Sequence, residues 1–245
     1  PDIMAFQEAG LDGRRHQVRE LLGDRGYHII HQFDVKMPRN SNNGCCIATR
    51  WPMQLTELLP LQVTDRCNFY AYAALAVRVG APAPIGPFLF VCAKPSWELN
   101  REYERELQAV KIIKMIRRHS AREEFPAILA GDFDATPDSS SIRFLSGKQS
   151  IGGTSVFFRD AWMEGGDGTE GFTWTSENPS AKGLIKKIMH TDSHARRIDY
   201  IFLGSFHDFV PTVSINSCRV VMTKPSGGTC PSDHYGVFAE IEHRT

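Results

Sequence analysis

The segment Pro126–Asp132 (PAILAGD) places the tightest constraint on the fold. Its apolar run is continuous, and a strand of that pattern is expected when both of its faces are covered. A sheet with one wet face does not accommodate it. Layers on both sides need a long chain, and 245 residues is enough. A chain of that size buries roughly 70–75% of its unfolded surface without a disulfide or metal staple. Hydrophobic residues at 42% and charged residues at 23% argue against a disordered or fibrous chain.

Other segments supply the partners of this strand. Asp2–Glu8 is a short apolar run ending abruptly in a carboxylate, and a helix is predicted over Arg14–Leu22, stopped by Gly23 and Gly26. Tyr27–Phe33 reads as a strand, Pro38 to Gly44 as a turn cluster, and Cys45–Thr49 as the next strand. Phe69–Val79 and Phe88–Cys92 are further strands, joined by the Pro- and Gly-rich Gly80–Pro87 connection. The clearest helix is Asn100–His119. There Ala109, Ile112, Ile113 and Ile116 form a buried stripe, while Arg101, Glu102, Glu104, Arg105 and Arg118 are expected to face water. Thr136 and Pro137 have the character of an N-cap and N1 pair opening a short helix through Leu145. Strands Ile198–Leu203, Val213–Val221 and Tyr235–Ile241 complete the chain. Helices between strands, with strands in the majority, predict a two-layered sheet core flanked by helices in a single domain over residues 1–245.

Lys+Arg 28 and Asp+Glu 28 cancel, which disfavours a broad basic grip on nucleic acid but leaves room for a local patch. No uninterrupted apolar run approaches the length of a membrane span; Phe88–Ala93 has the length of a strand. The six cysteines lack zinc-site spacing and fall mostly in apolar runs, which points to buried thiols in a reduced, intracellular protein.

The chemistry is concentrated at strand ends. Glu8, Asp132, Asp199 and the Asp233–His234 pair each sit at one end of an apolar strand. A carboxylate at the rim of a buried strand costs free energy unless it is paired, hydrogen-bonded or metal-bound. One such tip reads most simply as a turn former or cap. A set of carboxylates from separate strands, with one histidine, is what holds a hard divalent cation and activates water.

The sequences around these tips resemble the endonuclease/exonuclease/phosphatase superfamily, the DNase I-like fold. The matches are Gln7–Glu8 in AFQEA, Gly131-Asp132-Phe133-Asp134 in LAGDFDATPDS, Arg197 to Phe202 (RIDYIF), and Ser232-Asp233-His234 in PSDHYGVFAEIE, in the family's order. The resemblance implies a four-layer α/β/β/α sandwich of two packed mixed sheets with outer helices and the active site at one end of the sheets. It implies Glu8 as primary ligand of Mg2+ or Mn2+, with Asp233 as a second or indirect one. Asp132 would position and deprotonate the attacking water. His234 would contact the scissile phosphate, with Asp199 as its carboxylate partner. It further implies a first strand carrying an active-site Asn before Pro1, so that the domain is expected to be incomplete at its N-terminus.

Two departures stand inside the chain. Asp134 takes the place of the family's usual Asn; it either ligates metal or caps the turn before Pro137. After Leu89-Phe90-Val91-Cys92, where a branch of the family reads His-Lys-Pro-Ser/Thr-Trp, this chain has Ala93-Lys94-Pro95-Ser96-Trp97. Lys94 either offers a point charge to phosphate or is a solvated loop residue.

Lys182, Lys186, Lys187, Arg196 and Arg197 form the one basic stretch of note, read as a phosphate-gathering loop or as a solvated one. Trp97, Trp162 and Trp174 read more readily as core than as stacking platforms. The expected function is hydrolysis of a phosphate ester, nucleic acid among the candidate substrates, by a monomer. The alternatives are a phosphomonoesterase of the lipid or inositol phosphatase kind, and a catalytically impaired binding module on the same fold.

Overall fold

The computed structural model describes residues 1–12, 15–35, 42–68, 72–121, 125–204 and 213–243. The chain opens with β1 (Ile3–Asp12), β2 (Arg15–His16), α1 (Gln17–Leu22), β3 (His28–His31) and β4 (Asn43–Thr49). It continues through β5 (Met53–Pro60), β6 (Ala73–Gly80), β7 (Pro87–Lys94), α2 (Glu102–His119), β8 (Ile128–Asp132) and α3 (Ser140–Leu145). Short elements follow: β9 (Phe158–Asp160), α4 (Ala161–Gly165), β10 (Trp174–Thr175), α5 (Pro179–Met189) and β11 (Ala195–Arg196). The last strands are β12 (Asp199–Gly204), β13 (Val213–Val221) and β14 (Gly236–His243).

Two sheets stack face to face. One has the order β2-β1-β4-β3 and is antiparallel in its described pairings. The other has the order β5-β6-β7-β8-β12-β9, with a single parallel pairing between β7 and β8. Between them lie Cys45 and Ile47 of β4, Leu75 and Val77 of β6, Phe90 and Cys92 of β7, and Ala130 of β8, and the β13–β14 hairpin closes the same interior with Val213, Ile215 and Cys218. On the outer face of the six-stranded sheet, Ala74, Leu89, Val91, Leu129 and Phe202 pack under Ile112, Ile113 and Ile116 of α2 and Phe144 of α3. On the outer face of the four-stranded sheet, Cys46 and Ala48 pack under Val18 and Leu22 of α1. The layers are therefore α/β/β/α, and the continuous apolar run of β8 is explained: Leu129 serves one interior, and Ile128 and Ala130 the other.

Several boundaries differ from the sequence expectation. The first strand runs past Glu8 to Asp12, because a register break between Phe6 and Ala9 lets β1 continue beyond its polar interruption. The described part of the first helix begins at Gln17 with His16 as its cap; Arg14 lies outside the described residues, as does most of the predicted Pro38 to Gly44 turn and the start of the Phe69–Val79 strand. The strand predicted over Tyr27–Phe33 ends at His31, whose ring accepts from the Phe33 N–H and turns Gln32–Asp34 into a 3-10 helix. The helix expected from Thr136 starts at Ser140, with Ser139 as its N-cap; the Thr136 hydroxyl instead donates to Asp138.

The largest correction concerns α2. Glu104 and Arg105, expected to face water, are buried at 0% and 5% exposure. They are pulled inward by polar partners. Glu104 accepts from the Thr64 hydroxyl and pairs with Arg66, while Arg105 donates to the Ser96 and Glu98 carbonyls and to Glu102. All six cysteines are free and buried. Trp162 and Trp174 are buried and Trp97 is 42% exposed. Among the described residues no helix is long and apolar enough to cross a membrane.

Candidate active site

Three adjacent strands of the six-stranded sheet deliver charge to one point. Ala93 of β7 pairs in parallel with Gly131 of β8, and Asp132 of β8 pairs with Asp199 of β12. Side chains along a strand alternate faces. Cys92, Ala130 and Ile201 face the interior between the sheets, so Lys94, Asp132 and Asp199, each two residues on or back, emerge on that same side at its rim. Ala93 has the opposite fate. It is fully buried in the core beneath α2, so the position where the family branch has His points into the helical layer here. Gly131 is required beside it, since a Cβ there would lie 2.1 Å from the Ala93 carbonyl oxygen.

Glu8 comes from the opposite sheet. It sits in the β1 register break with φ of 55°, and Asp134 has φ of 50°. Left-handed backbone is unfavourable for residues with a Cβ, least so for Asp and Asn. Two of the four described non-glycine residues with positive φ thus lie in this cluster, as expected where surrounding structure holds functional groups in strained conformations. The Asp134 turn is pinned repeatedly: its N–H donates to Asp132 Oδ1 at 3.0 Å, Arg196 Nη2 donates to its carbonyl at 2.8 Å, and the Tyr200 hydroxyl donates to the Ala135 carbonyl at 2.8 Å.

At the centre is Lys94, 3% exposed. Its ammonium lies 2.8 Å from Asp132 Oδ2 and 3.6 Å from Glu8 Oε1, and it also donates to Asp134 Oδ2. Next to this cage, His234 Nδ1 and Asp199 Oδ2 are 2.9 Å apart. Ligand atoms of Asp132, Asp199 and His234 all fall within 4.8 Å of one another. The electrostatics follow from the crowding. Burial pulls the His234 pKa down, but Asp199 and then Asp132 outweigh it and raise the imidazole to about 10. Burial, followed by Asp132, lifts Asp134 to about 6. Burial would raise Asp132 too, yet Lys94 and then His234 hold it below the usual carboxylate value, while burial leaves Asp199 above it. Four carboxylates share two paired cations, Lys94 and His234, with Arg196 beside them on the Asp134 carbonyl, so the cluster is short of positive charge when all are ionised.

Of the expected site residues, Glu8, Lys94, Asp132 and Asp134 meet in one cage, with Asp199 and His234 at its side. Asp233 accepts from the Ser232 hydroxyl at 3.5 Å and has no described bond to the cluster.

Other supporting residues carry little sequence signal. Thr173 Oγ1 accepts from the Ile198 and Asp199 N–H groups, and its carbonyl accepts from the Tyr235 N–H, joining the two halves of the His–Asp pair. Asn178, fully buried, caps α5 through the Ser180 N–H and donates to the Ser232 carbonyl. Its Asn-Pro start was a readable helix signal. Gln108, also fully buried, clamps Ser96 by accepting from its N–H and donating to its hydroxyl, which fixes the segment after Lys94. The basic stretch divides. Lys182, Lys186 and Lys187 lie on α5, with Lys186 paired to Asp192; Arg197 is buried against Asp160; Arg196 alone reaches the Asp134 turn.

Fold and cluster together define an α/β/β/α sandwich with an anionic cluster at one end of its sheets. A sequence model of the Endonuclease/Exonuclease/phosphatase family matches residues 1–234, and the chain belongs to that family. No curated protein sequence matches. Among solved structures, D. rerio TDP2 complexed with single strand DNA product superposes with a TM-score of 0.71 at 17% identity, covering 99% of this chain and 86% of that one. The human Nocturnin catalytic domain with bound sulfate anion gives 0.65 at 17%, covering 99% and 81%. An endonuclease/exonuclease/phosphatase from Bacteroides vulgatus gives 0.66 at 18%, covering 99% and 85%. The DNase I-like fold is common to them.

Proposed function

We propose that this chain is a divalent-metal-dependent phosphodiesterase that acts on nucleic-acid-like diesters by direct attack of water on phosphorus. The observation that carries the reading is the cluster of Asp132, the Asp199–His234 pair and Glu8 at one end of the sheets. The donor chemistry fits a hard cation. Glu8 and its neighbours are carboxylates that already gather around an ammonium and leave a deficit of positive charge. Glu8, with Asp233 directly or through water, would hold Mg2+ or Mn2+, which when bound stabilises charge on the phosphoryl oxygens.

The chain's own residues do the rest. Asp132, held anionic by Lys94 and His234, accepts a hydrogen bond from the attacking water and takes its proton. His234 is tied through Nδ1 to Asp199, so Nε2 is left to donate to a phosphoryl oxygen, and with a pKa of about 10 the ring is cationic at neutral pH. Asp134, with a pKa of about 6, donates where the family's Asn would only in its protonated form, so its contribution as a donor fades as pH rises through that value. The single-stranded DNA product in the TDP2 relative and the sulfate in the Nocturnin relative support a phosphate-bearing substrate.

The test is hydrolysis of bis(p-nitrophenyl) phosphate against p-nitrophenyl phosphate with Mg2+ or Mn2+. Turnover of the diester alone is expected. Turnover of the monoester alone would replace this reading with a phosphatase; turnover of neither, nor of single-stranded DNA, would favour a binding module.

A further inference from the structure

We propose that the Lys94 ammonium is a tethered cation that competes with the divalent ion for the carboxylate cage, so that metal loading is a displacement. The inference rests on the metal-dependent reading above and adds a control element to it.

The geometry is that of an occupied cation site. An ammonium has three N–H donors, and Lys94 faces three carboxylates, Asp132, Glu8 and Asp134. It is 3% exposed, so water does not share it to any extent. Both oxygens of Asp132 already have a donor, Lys94 on Oδ2 and the Asp134 N–H on Oδ1. Glu8 is the weakest of the three contacts at 3.6 Å and the most exposed, with its side chain at 48%, so it is the edge at which an incoming ion would first bind. The segment after Lys94 cannot readily swing away. The Ser96 N–H and hydroxyl are held by Gln108 and its carbonyl by Arg105, both buried on α2. A positive charge tethered a few ångströms from a divalent ion opposes its binding, all the more because the ammonium itself is buried. The same charge offsets the mutual repulsion of the carboxylates when no metal is bound.

Mn2+ binding to the full chain by calorimetry, with thermal melting in parallel, tests this without reference to turnover. Lys94→Met removes the charge and keeps most of the volume. The expected result is Mn2+ binding about tenfold tighter or more than in the wild type, a lower metal-free Tm, and a larger rise in Tm on adding Mn2+. Unchanged or weaker binding by a folded Lys94→Met overturns the proposal while leaving the metal-dependent reading intact. Absence of Mn2+ binding in both folded proteins overturns the two together. Should Lys94→Met fail to fold, the double variant Lys94→Met/Asp134→Asn keeps the net charge. It must then bind Mn2+ more tightly than Asp134→Asn alone, and equal binding counts against the proposal.

Discussion

Two buried ionic clusters lie against the six-stranded sheet, and they differ in balance. Arg197 and Asp160 form a closed pair. Their side chains are 4% and 6% exposed, 2.8 Å apart, with the guanidinium stacked 4.6 Å over the Tyr200 ring and the other Asp160 oxygen capping α4 through the Trp162 N–H. One cation meets one anion, and both Asp160 oxygens accept a hydrogen bond. The cage around Lys94 meets three carboxylates with one ammonium, and two of its members, Glu8 and Asp134, have strained backbones. A balanced buried pair holds structure together; an unbalanced one is left short of positive charge and reads as a place for a ligand. Arginine suits the first role with its rigid, stacked fork, and lysine the second as a point charge at the end of a flexible stem.

The contrast predicts separable losses. Asp132→Asn should reduce metal-dependent diester hydrolysis by about 10²–10⁴-fold, because the amide cannot take a proton, with a smaller loss of stability than at Arg197 because Lys94 keeps Glu8 and Asp134 as partners. A variant with full activity would remove Asp132 from the chemistry. Arg197→Ala should show the reverse: about 3–5 kcal/mol lost in denaturant titrations, since Asp160 is left buried and unpaired, with kcat per folded molecule little changed. Equal loss of stability in the two variants would erase the distinction.

Ala93→His tests whether the family's histidine can be put back. Ala93 is fully buried under α2, so the expected outcome is a loss of about 1–3 kcal/mol by overpacking and no gain in rate. A stable variant with faster turnover would show that position 93 reaches the site. A further test is of pH dependence. His234 has a folded pKa of about 10 against 6.5 for the free side chain, so its stabilising contribution is complete below 6.5 and is lost as pH rises through about 10. The Tm difference between metal-free wild type and His234→Gln should therefore shrink across that interval. A constant difference would mean that the ring is not held charged by Asp199 and Asp132.

The strand tips were legible because a polar group at the end of an apolar run leaves a mark of its own; Glu8 and Asp132 stop such runs, Asp199 and His234 stand at the head of them, and the layered fold followed from runs such as that of β8. The burial of Lys94 was not legible. A lysine after a strand looks solvated, and its partners Glu8, Asp132 and Asp134 lie far away in the chain, so only the strand register reveals the cage. Glu104 and Arg105 misled for a related reason: helical periodicity places polar residues outward unless a polar loop is packed on them. Arg196 and Arg197 are neighbours of one type, yet one reaches the site turn and the other closes a structural pair, a difference decided by which way each side chain leaves the chain. Elements such as β9, β10 and β11, with two or three residues each, are too short to carry a period.

The most direct test of the central claim is an anomalous difference map from crystals of the full chain grown with Mn2+. A peak is predicted at the Glu8 carboxylate, on the Asp132 side of the cage, with none at the Arg197–Asp160 pair. Well-ordered crystals at saturating Mn2+ with no peak at Glu8, or with the ion bound elsewhere, would contradict the assignment of this end of the sheets as the metal-assisted site.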